Sequence, residues 1–408
     1  AARGAPALGV TGAAQVDYAA AQDHVARTIA AIAPHDSQER FEALGCRVIR
    51  ARARFTGRQT VEAGGVQVTA RRVVIATGSR PLVPPVPGLG DVPFLTNETI
   101  FALRQAPANL LVLGGGPIGM EMAQAHRRLG CAVTVVEGAR ALGREDPDLA
   151  AVVLDRLRAE GVTIREGVPV ARVSGQDGVT LHLADGGTVT GSHLLVAAGR
   201  VPALDDLGLE TAGVARDARG IRVDARLRSV TNRRVFAVGD AAGQGQFTHL
   251  AGYHAGLVVR QALFGLPARA RADHIPRATY TDPELAQVGP TEAEARTAGL
   301  EVQVLSWPLA QNDRALAEGR PEGLVKVLVR RGRVIGAGIA GAGAGEQIAF
   351  WSLAVAQRLR ISAVAGVVLP YPTRSEAGKR AAGAYYTARL FDNPRVRQLV
   401  RLVQRLLP

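Results

Sequence analysis

Apolar and polar positions alternate along most of the chain with two different periods. Residues 110–113 and 132–137 are short apolar runs typical of buried strands, and helical spacing of apolar residues follows the first of them. The same pattern predicts a helix over 146–161, strands near 162–165, 168–173, 179–183 and 194–198, and a helical run over 248–264. Strands that alternate with helices predict doubly wound α/β units.

The first hundred residues show a less regular pattern. Residues 16–44 predict one amphipathic helix, with Val16, Ile29, Ile32, Phe41 and Leu44 on its apolar face. Strands are predicted from 46 to 79. The proline-rich segment 81–93 is incompatible with a helix or a central strand, and it predicts a linker.

Composition limits the class of protein. The chain has 408 residues, of which 47% are hydrophobic and 21% are charged, so we expect two to three globular domains. This balance excludes disordered, collagen-like and disulfide-scaffold proteins. No uncharged apolar stretch reaches membrane-spanning length, and the first residues show no signal-peptide pattern, so we expect neither a membrane span nor a signal peptide. Because the chain lacks an initiator Met, we expect it to be processed or a fragment.

The net charge of +13 does not by itself indicate a nucleic-acid-binding protein. Lys326 and Lys379 are the only lysines among 49 basic residues, and the arginines are scattered along the whole chain rather than gathered in one stripe. The two cysteines, Cys46 and Cys131, form neither a CxxC motif nor a disulfide framework. We therefore expect no nucleic-acid partner, no metal site and a location in a reducing cytoplasm.

The strongest motif is a GxGxxG made by Gly114, Gly116 and Gly119. It follows an apolar strand directly and precedes a helix, as in dinucleotide-binding βαβ units. Glu137 ends the next strand, at the place downstream of the glycines where an acid accepts hydrogen bonds from a ribose. This acid favours NADH over NADPH, although Arg140 beyond it is a possible partner for a 2′-phosphate.

A second run of glycines has the same spacing. Gly336, Gly338 and Gly341 also match GxGxxG, but no strand ending in an acid follows them. We interpret these glycines as small residues that permit close packing.

Two further strands end in small residues. RRVVIATGS (71–79) and VFAVGDAAG (235–243) each place a short polar segment at a sheet edge, and Asp240 there could accept hydrogen bonds from a polyol. Taken alone, each segment is more typical of a strand followed by a turn than of a ligand site.

Five motifs together resemble the class I flavoprotein disulfide reductases, which include dihydrolipoamide dehydrogenase, glutathione reductase and mercuric reductase. In chain order they are ATGSRP (76–81), GGGPIGMEMA (114–123) with Glu137, AAGR (197–200), AVGDAAG (237–243) and YTDPELAQVG (280–289). The resemblance implies an α/β fold in which an NAD domain interrupts an FAD domain, both Rossmann-like, followed by a C-terminal α+β dimerisation domain.

The resemblance also implies domain boundaries. They are 1–95 for the first, N-terminally incomplete part of the FAD-binding domain, 96–222 for the NAD(P)H-binding domain, 223–270 for the second part of the FAD-binding domain, 271–390 for the dimerisation domain and 391–408 for a basic amphipathic tail.

By resemblance, FAD and NADH are the cofactors and the chain is a homodimer with a small-molecule or small-thiol acceptor. The FAD residues would be Ala53, Thr77, Gly78, Ser79, Asp240, Phe247 and Thr248. The NADH residues would be Gly114, Gly115, Gly116, Pro117, Ile118, Gly119, Glu121, Glu137, Val170 and Gly199. Hydride would pass from NADH to the flavin and on to a disulfide, a thiol-bound metal or a related acceptor.

The chain departs from the family pattern in two places. The FAD-binding GxGxxG and the CxxxxC redox motif of the family are absent, so we expect the chain alone to bind FAD poorly and to reduce no disulfide. In LPYPTRSE (369–376), Glu376 matches the family's catalytic glutamate, but Tyr371 occupies the position of its histidine. A tyrosine is a poor base at neutral pH. Mercuric reductase also has a tyrosine here, but this chain lacks that enzyme's terminal cysteine pair.

The tail NPRVRQLVRLVQRLLP (393–408) is amphipathic. We expect it to pack on its own domain, and contact with an anionic membrane is the less favoured alternative. Two other functions stay open at this stage: a flavoenzyme whose acceptor is a quinone, oxygen or another protein, and a non-catalytic NADH-binding dimer.

Overall fold

The structure is a computed structural model that describes residues 15–175, 177–391 and 393–406. The chain divides into two compact units. The first contains the described residues up to Ala141 together with Glu160–Gln246, and the second contains Leu142–Ala159 and the described residues from Phe247 onward.

The α-helices in chain order are α1 Tyr18–Ile32, α2 Gln38–Ala43, α3 Pro117–Arg128, α4 Pro147–Ala159, α5 Leu209–Ala212, α6 Thr248–Ala262, α7 Glu292–Thr297, α8 Asp313–Ala317, α9 Ala344–Ala356, α10 Ile361–Ala365, α11 Glu376–Leu390 and α12 Pro394–Leu406. The strands of the first unit are β1 Ala53–Phe55, β2 Thr60–Ala63, β3 Val66–Thr69, β4 Val73–Ile75, β5 Ser79–Pro81, β6 Asn109–Leu113, β7 Ala132–Glu137, β8 Thr163–Glu166, β9 Val170–Ser174, β10 Val179–Leu183, β11 Thr188–Gly191, β12 His193–Val196, β13 Arg200–Pro202, β14 Arg216–Asp217, β15 Gly220–Ile221 and β16 Val235–Ala237. Those of the second unit are β17 Arg277–Thr279, β18 Glu284–Val288, β19 Gln303–Pro308, β20 Leu324–Arg330 and β21 Arg333–Gly341.

The predicted single helix over 16–44 is wrong. The structure has α1, a 3₁₀ turn at Ala33–Asp36 and then α2. Pro34 lies in that turn, and a proline cannot donate the backbone hydrogen bond that would continue α1. The predicted apolar face is exposed, with Ile29 54% and Leu44 67% accessible.

A parallel sheet lies at the centre of the first unit. Its strand order is β12-β6-β7-β8, and α3 connects β6 to β7 in the manner of a βαβ unit. The strands read as continuous apolar runs because both faces are covered, and Leu110, Leu111 and Val112 are fully buried. The predicted strand–helix–strand order is confirmed here.

A second parallel pair shows how the chain is interleaved. β4 pairs with β16, with Val73 opposite Val235, although these strands are far apart in the sequence. The chain leaves this pair after residue 75, forms the β12-β6-β7-β8 sheet, and returns at residue 235. This topology matches the predicted interruption of one dinucleotide-binding domain by another, so the predicted fold class is confirmed.

The second unit is built on an antiparallel sheet of order β17-β18-β21-β20-β19. α9 packs against β21 and β18, and α11 packs against β19 and β20. Trp351 on α9 is 2% exposed and belongs to the core between these layers. An antiparallel sheet covered by helices agrees with the α+β domain predicted for this part of the chain.

α4 is docked on this sheet through a glycine and a lysine. A Cβ on Gly338 of β21 would lie 2.3 Å from Leu149 Cδ1, so the glycine makes room for α4. Lys326, opposite Gly338 in β20, donates to both carboxylate oxygens of Asp146 at 3.0 and 2.9 Å and to Asp148 at 2.8 Å. The ammonium group ties the N-terminal end of α4 to the sheet.

The packing predicted for the C-terminal tail is not seen in the described residues. None of the residues of α12 is buried, and Leu399 is 59% exposed. In the described part of the chain, no helix combines the length and apolar character needed to cross a bilayer.

Candidate functional site

The glycine-rich loop between β6 and α3 packs tightly against neighbouring backbone. Gly114 has a φ of +113°, and a Cβ there would come within 2.5 Å of Ala197 O. A Cβ on Gly119 would lie 2.1 Å from Gly114 O, so only glycine lets α3 approach the loop this closely. These two glycines therefore set the shape of the turn.

Gly116 differs from these two glycines because it faces open space. It is the N-cap of α3, and no heavy atom lies within 4 Å of the place where its Cβ would stand. No side chain caps this end of α3, and Pro117 at the first position has no N–H group. The N–H groups of Ile118 and Gly119 therefore lack an intrahelical acceptor. A pyrophosphate can approach the backbone here.

Glu137 lies beside this loop at the end of β7. Its Oε2 accepts a hydrogen bond from Gly115 N at 2.7 Å, and its Oε1 accepts one from Ala139 N at 2.8 Å. Each carboxylate oxygen can accept a second bond, so the group fits ribose hydroxyls as well. Arg140, one residue beyond Ala139, is exposed.

Three other residues predicted for the nicotinamide nucleotide lie in the same unit. Gly199, with a φ of +128°, follows the backbone of Ala197 that covers Gly114. Val170 begins β9 and is half-buried, and Glu121 is half-buried on α3. Gly199 therefore directly follows the Ala197–Ala198 backbone that lies against Gly114, whereas Glu121 lies one turn into the helix.

Glu166 was missed by the sequence analysis. It ends β8 opposite Glu137 in the parallel register, and its Oε1 accepts from Ala141 N at 2.8 Å. The two glutamates thus hold the loop after β7 from adjacent strands. An acid at the end of the third strand of a βαβ-type sheet is the signal that could have identified it.

The segments after β4 and β16 meet at the carboxyl ends of these parallel strands. Ser79 Oγ donates to Asp240 Oδ2 at 2.5 Å, across 161 residues of sequence. Gly78, with a φ of +65°, lies in the turn that follows Thr77. Ligands of open α/β sheets bind at such strand ends, and this hydroxyl–carboxylate pair fits the hydroxyls of a polyol.

Arg200 and Asn97 extend this pair and were not predicted. Arg200 Nε donates to Ser79 Oγ at 2.7 Å, and its Nη2 donates to Ser79 O at 2.8 Å. The Nη1 of the same guanidinium donates to Asn97 Oδ1 at 3.1 Å. The guanidinium therefore orients the Ser79 hydroxyl toward Asp240. AAGR contains Arg200, but no local pattern points to Asn97.

Ala53 lies at the edge of a cavity of about 150 Å³ in the first unit. The cavity is also lined by Phe55 of β1, by Val74 of β4 and by Thr77. The predicted FAD residues Ala53 and Thr77 therefore share one cavity.

Phe247 and Thr248 lie in the second unit, at the start of α6. Phe247 is the N-cap residue, and no side chain caps this helix end. Its ring stacks on His249 with centroids 5.2 Å apart. The predicted helix N-terminus is present, with Thr248 exposed at its first position.

Tyr371 has a partner that the sequence analysis did not identify. Its hydroxyl donates to Asp313 Oδ2 at 2.9 Å, and this bond to a carboxylate raises the pKa of Tyr371. The peptide bond to Pro372 is cis, and the Tyr371 side chain is 72% exposed. The phenol therefore stays protonated and acts as a hydrogen-bond donor at neutral pH.

Glu376 begins α11 and interacts with the backbone of the preceding turn. Its Oε2 lies 3.5 Å from Thr373 N, so Tyr371 and Glu376 have different partners. Arg374 pairs with Glu318, while its Nη1 and the Thr373 hydroxyl are buried without a hydrogen-bond partner among the described residues.

The cysteines lie in separate environments of the first unit. Cys46 is exposed, Cys131 is buried, and burial raises the pKa of the Cys131 thiol. Within the described ranges, no group of three or more His, Cys, Asp or Glu side chains is placed to hold a metal ion.

Comparison with known proteins identifies two matching family profiles. Residues 6–255 match the family described as pyridine nucleotide-disulphide oxidoreductase, and residues 275–382 match the dimerisation domain of the same family.

Individual relatives come from the same group of enzymes. A mercuric reductase of Bacillus cereus is 34% identical over 346 residues, which cover 83% of this chain and 54% of the relative. A dihydrolipoyl dehydrogenase of Thermus scotoductus is 36% identical over 351 residues, covering 83% of this chain and 75% of that protein. The chain therefore spans about half the length of the first relative.

A solved structure agrees with this assignment. The Cu(II) complex of RclA, an HOCl-induced flavoprotein disulfide reductase from Escherichia coli, superposes with a TM-score of 0.74 at 30% sequence identity. The match covers 81% of this chain and 77% of that one.

Proposed function

The chain belongs to the pyridine nucleotide-disulphide oxidoreductase family, and from this premise we propose that it carries the nicotinamide- and flavin-contacting residues of an FAD-dependent NAD(P)H oxidoreductase of the disulfide-reductase type. Its acceptor is a disulfide, a thiol-bound metal or a related small molecule. When bound, the flavin would supply the electron relay between the nicotinamide and the acceptor. The observation that carries the proposal is the open N-terminus of α3 at Gly116 with the Glu137 carboxylate beside it.

The nicotinamide nucleotide would bind at this loop. Gly116 leaves space for the pyrophosphate, and the uncapped N–H groups of α3 favour negative charge there. Glu137 would accept from the adenosine ribose and would repel a 2′-phosphate, so NADH is favoured over NADPH. The exposed Arg140 is the group that could accommodate NADPH instead.

On the flavin side, Asp240 and Ser79 would hold the polyol chain. Arg200 donates to Ser79 and keeps its hydroxyl turned toward Asp240, so a ligand meets a fixed carboxylate oxygen. By resemblance, Ala53 would lie near the adenine and Thr77 beside the FAD, and the two residues line one cavity. The resemblance also assigns Phe247 and Thr248 to the flavin, and we propose this assignment with the others.

The functional form would be a homodimer. The dimerisation-domain match covers residues 275–382, and several large apolar side chains in this segment are exposed. They are Tyr280 at 71%, Leu353 at 56%, Val368 at 90% and Tyr371 at 72%. These side chains are available to be covered by a second copy, and the dimerisation-domain match is the main support for the homodimer. Light scattering of the purified protein should give twice the chain mass, and Val368→Asp should shift it toward the monomer.

We place the protein in a reducing cytoplasm. The described cysteines, exposed Cys46 and buried Cys131, are both free, and disulfides form and persist mainly in oxidising compartments.

Tyr371 determines which acceptor is favoured. A protonated phenol held by Asp313 donates a hydrogen bond but accepts no proton, whereas exchange between a thiol and a disulfide needs proton transfer. This observation favours, as a second candidate function, reduction of a quinone, oxygen or a protein without a base at this site. A thiol-bound metal is compatible with both interpretations.

The visible spectrum of the protein expressed from its gene tests the function. Before and after anaerobic NADH, a flavin spectrum that gains a long-wavelength charge-transfer band would establish a thiolate next to the flavin, and with it the disulfide-reductase type. A flavin that only bleaches would support the second candidate. A colourless protein would contradict both.

Nucleotide binding is tested separately with Glu137→Gln. The variant keeps an oxygen acceptor but loses the charge, so we expect NADH affinity to fall by about tenfold, as for loss of one charge-assisted hydrogen bond. Exposed Glu301→Gln is the matched control. Equal NADH affinity of the two variants would remove Glu137 from the ribose site.

A further inference from the structure

α12 is an independent helix with its own start signal. Asn393 precedes it, and its side-chain Oδ1 accepts from Arg395 N at 3.0 Å. Pro394 occupies the first helical position, which a proline favours because no hydrogen bond is lost there. The helix therefore begins anew after α11 ends at Leu390 and is not a frayed extension of it.

The two faces of α12 differ in chemistry. At 3.6 residues per turn, one face contains only aliphatic side chains: Val396, Leu399, Val400, Val403 and Leu406. Arg397, Arg401 and Arg405 lie on the opposite face, between Gln398 and Gln404. This arrangement is that of an interfacial helix, with an apolar face and an arginine-rich face.

The apolar face is uncovered in the described structure. No residue of α12 is buried, and Leu399, Val400, Val403 and Leu406 are 59%, 47%, 43% and 71% exposed. An aliphatic face of this width does not remain in water without cost. It needs an occupant that is both apolar and compatible with the arginines.

The charge of α12 identifies that occupant. Residues 393–406 contain four arginines and no acidic residue, and the whole chain has a net charge of +13. A second copy of this chain would therefore bring positive charge to a positive helix. An anionic lipid surface offers both the apolar phase and the opposite charge.

We propose that α12 binds the surface of an anionic lipid bilayer and lies in the plane of the interface. Its 13 residues extend about 20 Å, which is too short to span a hydrocarbon core of about 30 Å. The aliphatic face enters the acyl boundary and Arg397, Arg401 and Arg405 face the phosphates. The enzyme is thereby held peripherally at a membrane.

Vesicle co-sedimentation of the full chain tests this assignment. We expect binding to vesicles that mix phosphatidylcholine with the anionic lipid phosphatidylglycerol, and little binding to pure phosphatidylcholine. Raising the salt concentration should weaken the binding, because the attraction is screened. Replacing Arg397, Arg401 and Arg405 by Gln should weaken it about a hundredfold, at roughly tenfold or less for each arginine.

A matched pair of variants separates the apolar contact from the charge. Leu399→Asp with Val403→Asp places two acids on the aliphatic face, whereas Gln398→Asp with Gln404→Asp places the same charge on the polar face. We expect the first pair to abolish vesicle binding and the second pair to weaken it without abolishing it. Since these side chains are not buried, the thermal unfolding temperature of both variants should match that of the unmodified chain.

A tryptophan reporter gives the orientation. Leu399→Trp should shift its emission to the blue with anionic vesicles, and Gln398→Trp should not. Equal loss of binding in both aspartate pairs, or equal binding to neutral and anionic vesicles, would overturn the proposal. An absence of vesicle binding would also overturn it, and a lower mass of Leu399→Asp/Val403→Asp in light scattering would then indicate that α12 contacts a second copy.

Discussion

Two glycine runs of identical spacing occur in this chain, and they have different surroundings. Gly114, Gly116 and Gly119 form a loop between β6 and α3. Gly336 and Gly338 lie within β21 and Gly341 ends it. At Gly116 a Cβ would meet nothing within 4 Å, whereas at Gly338 it would meet Leu149 Cδ1 at 2.3 Å.

The glycine spacing thus indicates that another group comes close to the backbone. It does not indicate whether that group is a ligand or another part of the protein. In the first run the space is open and adjoins an uncapped helix end and a carboxylate, which suits a ligand. In the second run α4 occupies the space, and Lys326 opposite Gly338 ties that helix down. In this chain the middle glycine distinguishes the two runs, since Gly116 faces open space and Gly338 faces Leu149.

The largest expected effect is a loss of stability where Lys326 holds α4 on the sheet of the second unit. Lys326→Met would leave the buried Asp146 carboxylate without its cation, so we expect the free energy of unfolding to fall by about 3–5 kcal/mol. Chemical denaturation of the folded protein measures this. Lys379→Met, the same change at the other lysine, should cost less than about 0.5 kcal/mol. A loss at position 326 no larger than that at 379 would contradict the role of the ammonium group.

Burial alone would lower the pKa of Lys326, but hydrogen bonds to Asp148 and Asp146 outweigh it and raise the pKa. A raised pKa means that the stabilisation is complete below the unfolded value near 10.5 and is lost only above it. The effect of Lys326→Met should therefore not change with pH between 6 and 9.

Gly338→Ala separates packing from binding. Because the new Cβ would overlap Leu149, we expect a loss of about 1–3 kcal/mol in unfolding free energy. NADH affinity of the folded fraction, measured by fluorescence titration, should stay the same. A large loss of NADH affinity at unchanged stability would assign the second run to a nucleotide site.

Gly116→Ala should give the reverse result. No atom opposes the new Cβ and φ is −75°, so stability should change by less than about 1 kcal/mol, within the range for an N-cap residue. The methyl group would occupy the approach to the α3 N-terminus. We expect NADH affinity to fall at least about tenfold, which corresponds to about 1.4 kcal/mol. Unchanged NADH affinity would contradict the proposal that the pyrophosphate binds at this loop.

The smallest expected effect is a pH dependence of stability that arises from His126 on α3. His126 on α3 is 3% exposed, donates from Nδ1 to Met122 O at 2.9 Å and lies 3.2 Å from the Tyr18 hydroxyl. Desolvation lowers the pKa of His126 despite its bond to Met122. The folded chain therefore keeps it neutral, and its stabilisation is present above pH 6.5 and lost as pH falls through the folded value.

His126→Gln should flatten this pH dependence. We expect the stability difference between pH 7.5 and pH 5.5 to shrink by about 1 kcal/mol, since one proton is worth at most about 1.4 kcal/mol per pH unit. Denaturation curves at both pH values provide the measurement, and His254, also buried with a lowered pKa, remains as an internal background. An unaltered slope would assign the pH dependence to another group.

Local patterns predicted the β6–α3–β7 unit well, because its strands, turn and acid follow one another directly along the chain. Contacts between distant segments were not predictable in this way. Arg200 reaches Ser79 across 121 residues and Asp313 reaches Tyr371 across 58. Arg200 lies in the AAGR motif and Asp313 in no motif, but in neither case does the local sequence indicate the partner. Such pairs depend on how distant segments of the chain come together in the fold. The periodicity of apolar residues carries no information about these contacts.

The N-terminal helix shows the opposite error. The apolar spacing of Ile29 and Leu44 predicted one buried face, but Pro34 interrupts the helix and the two side chains are exposed. Periodicity indicates which side chains share a face, and only the surrounding fold decides whether that face is covered.

The buried ammonium group of Lys326 also affects how the protein can be labelled. Amine-directed reagents need a neutral, accessible nitrogen, and Lys326 is protonated, enclosed by Asp146, Asp148 and Glu292, and 6% accessible. Of the two lysines, only Lys379 should therefore react while the fold is intact. The rate at which a second modified lysine appears would then report how often α4 separates transiently from its sheet and exposes Lys326.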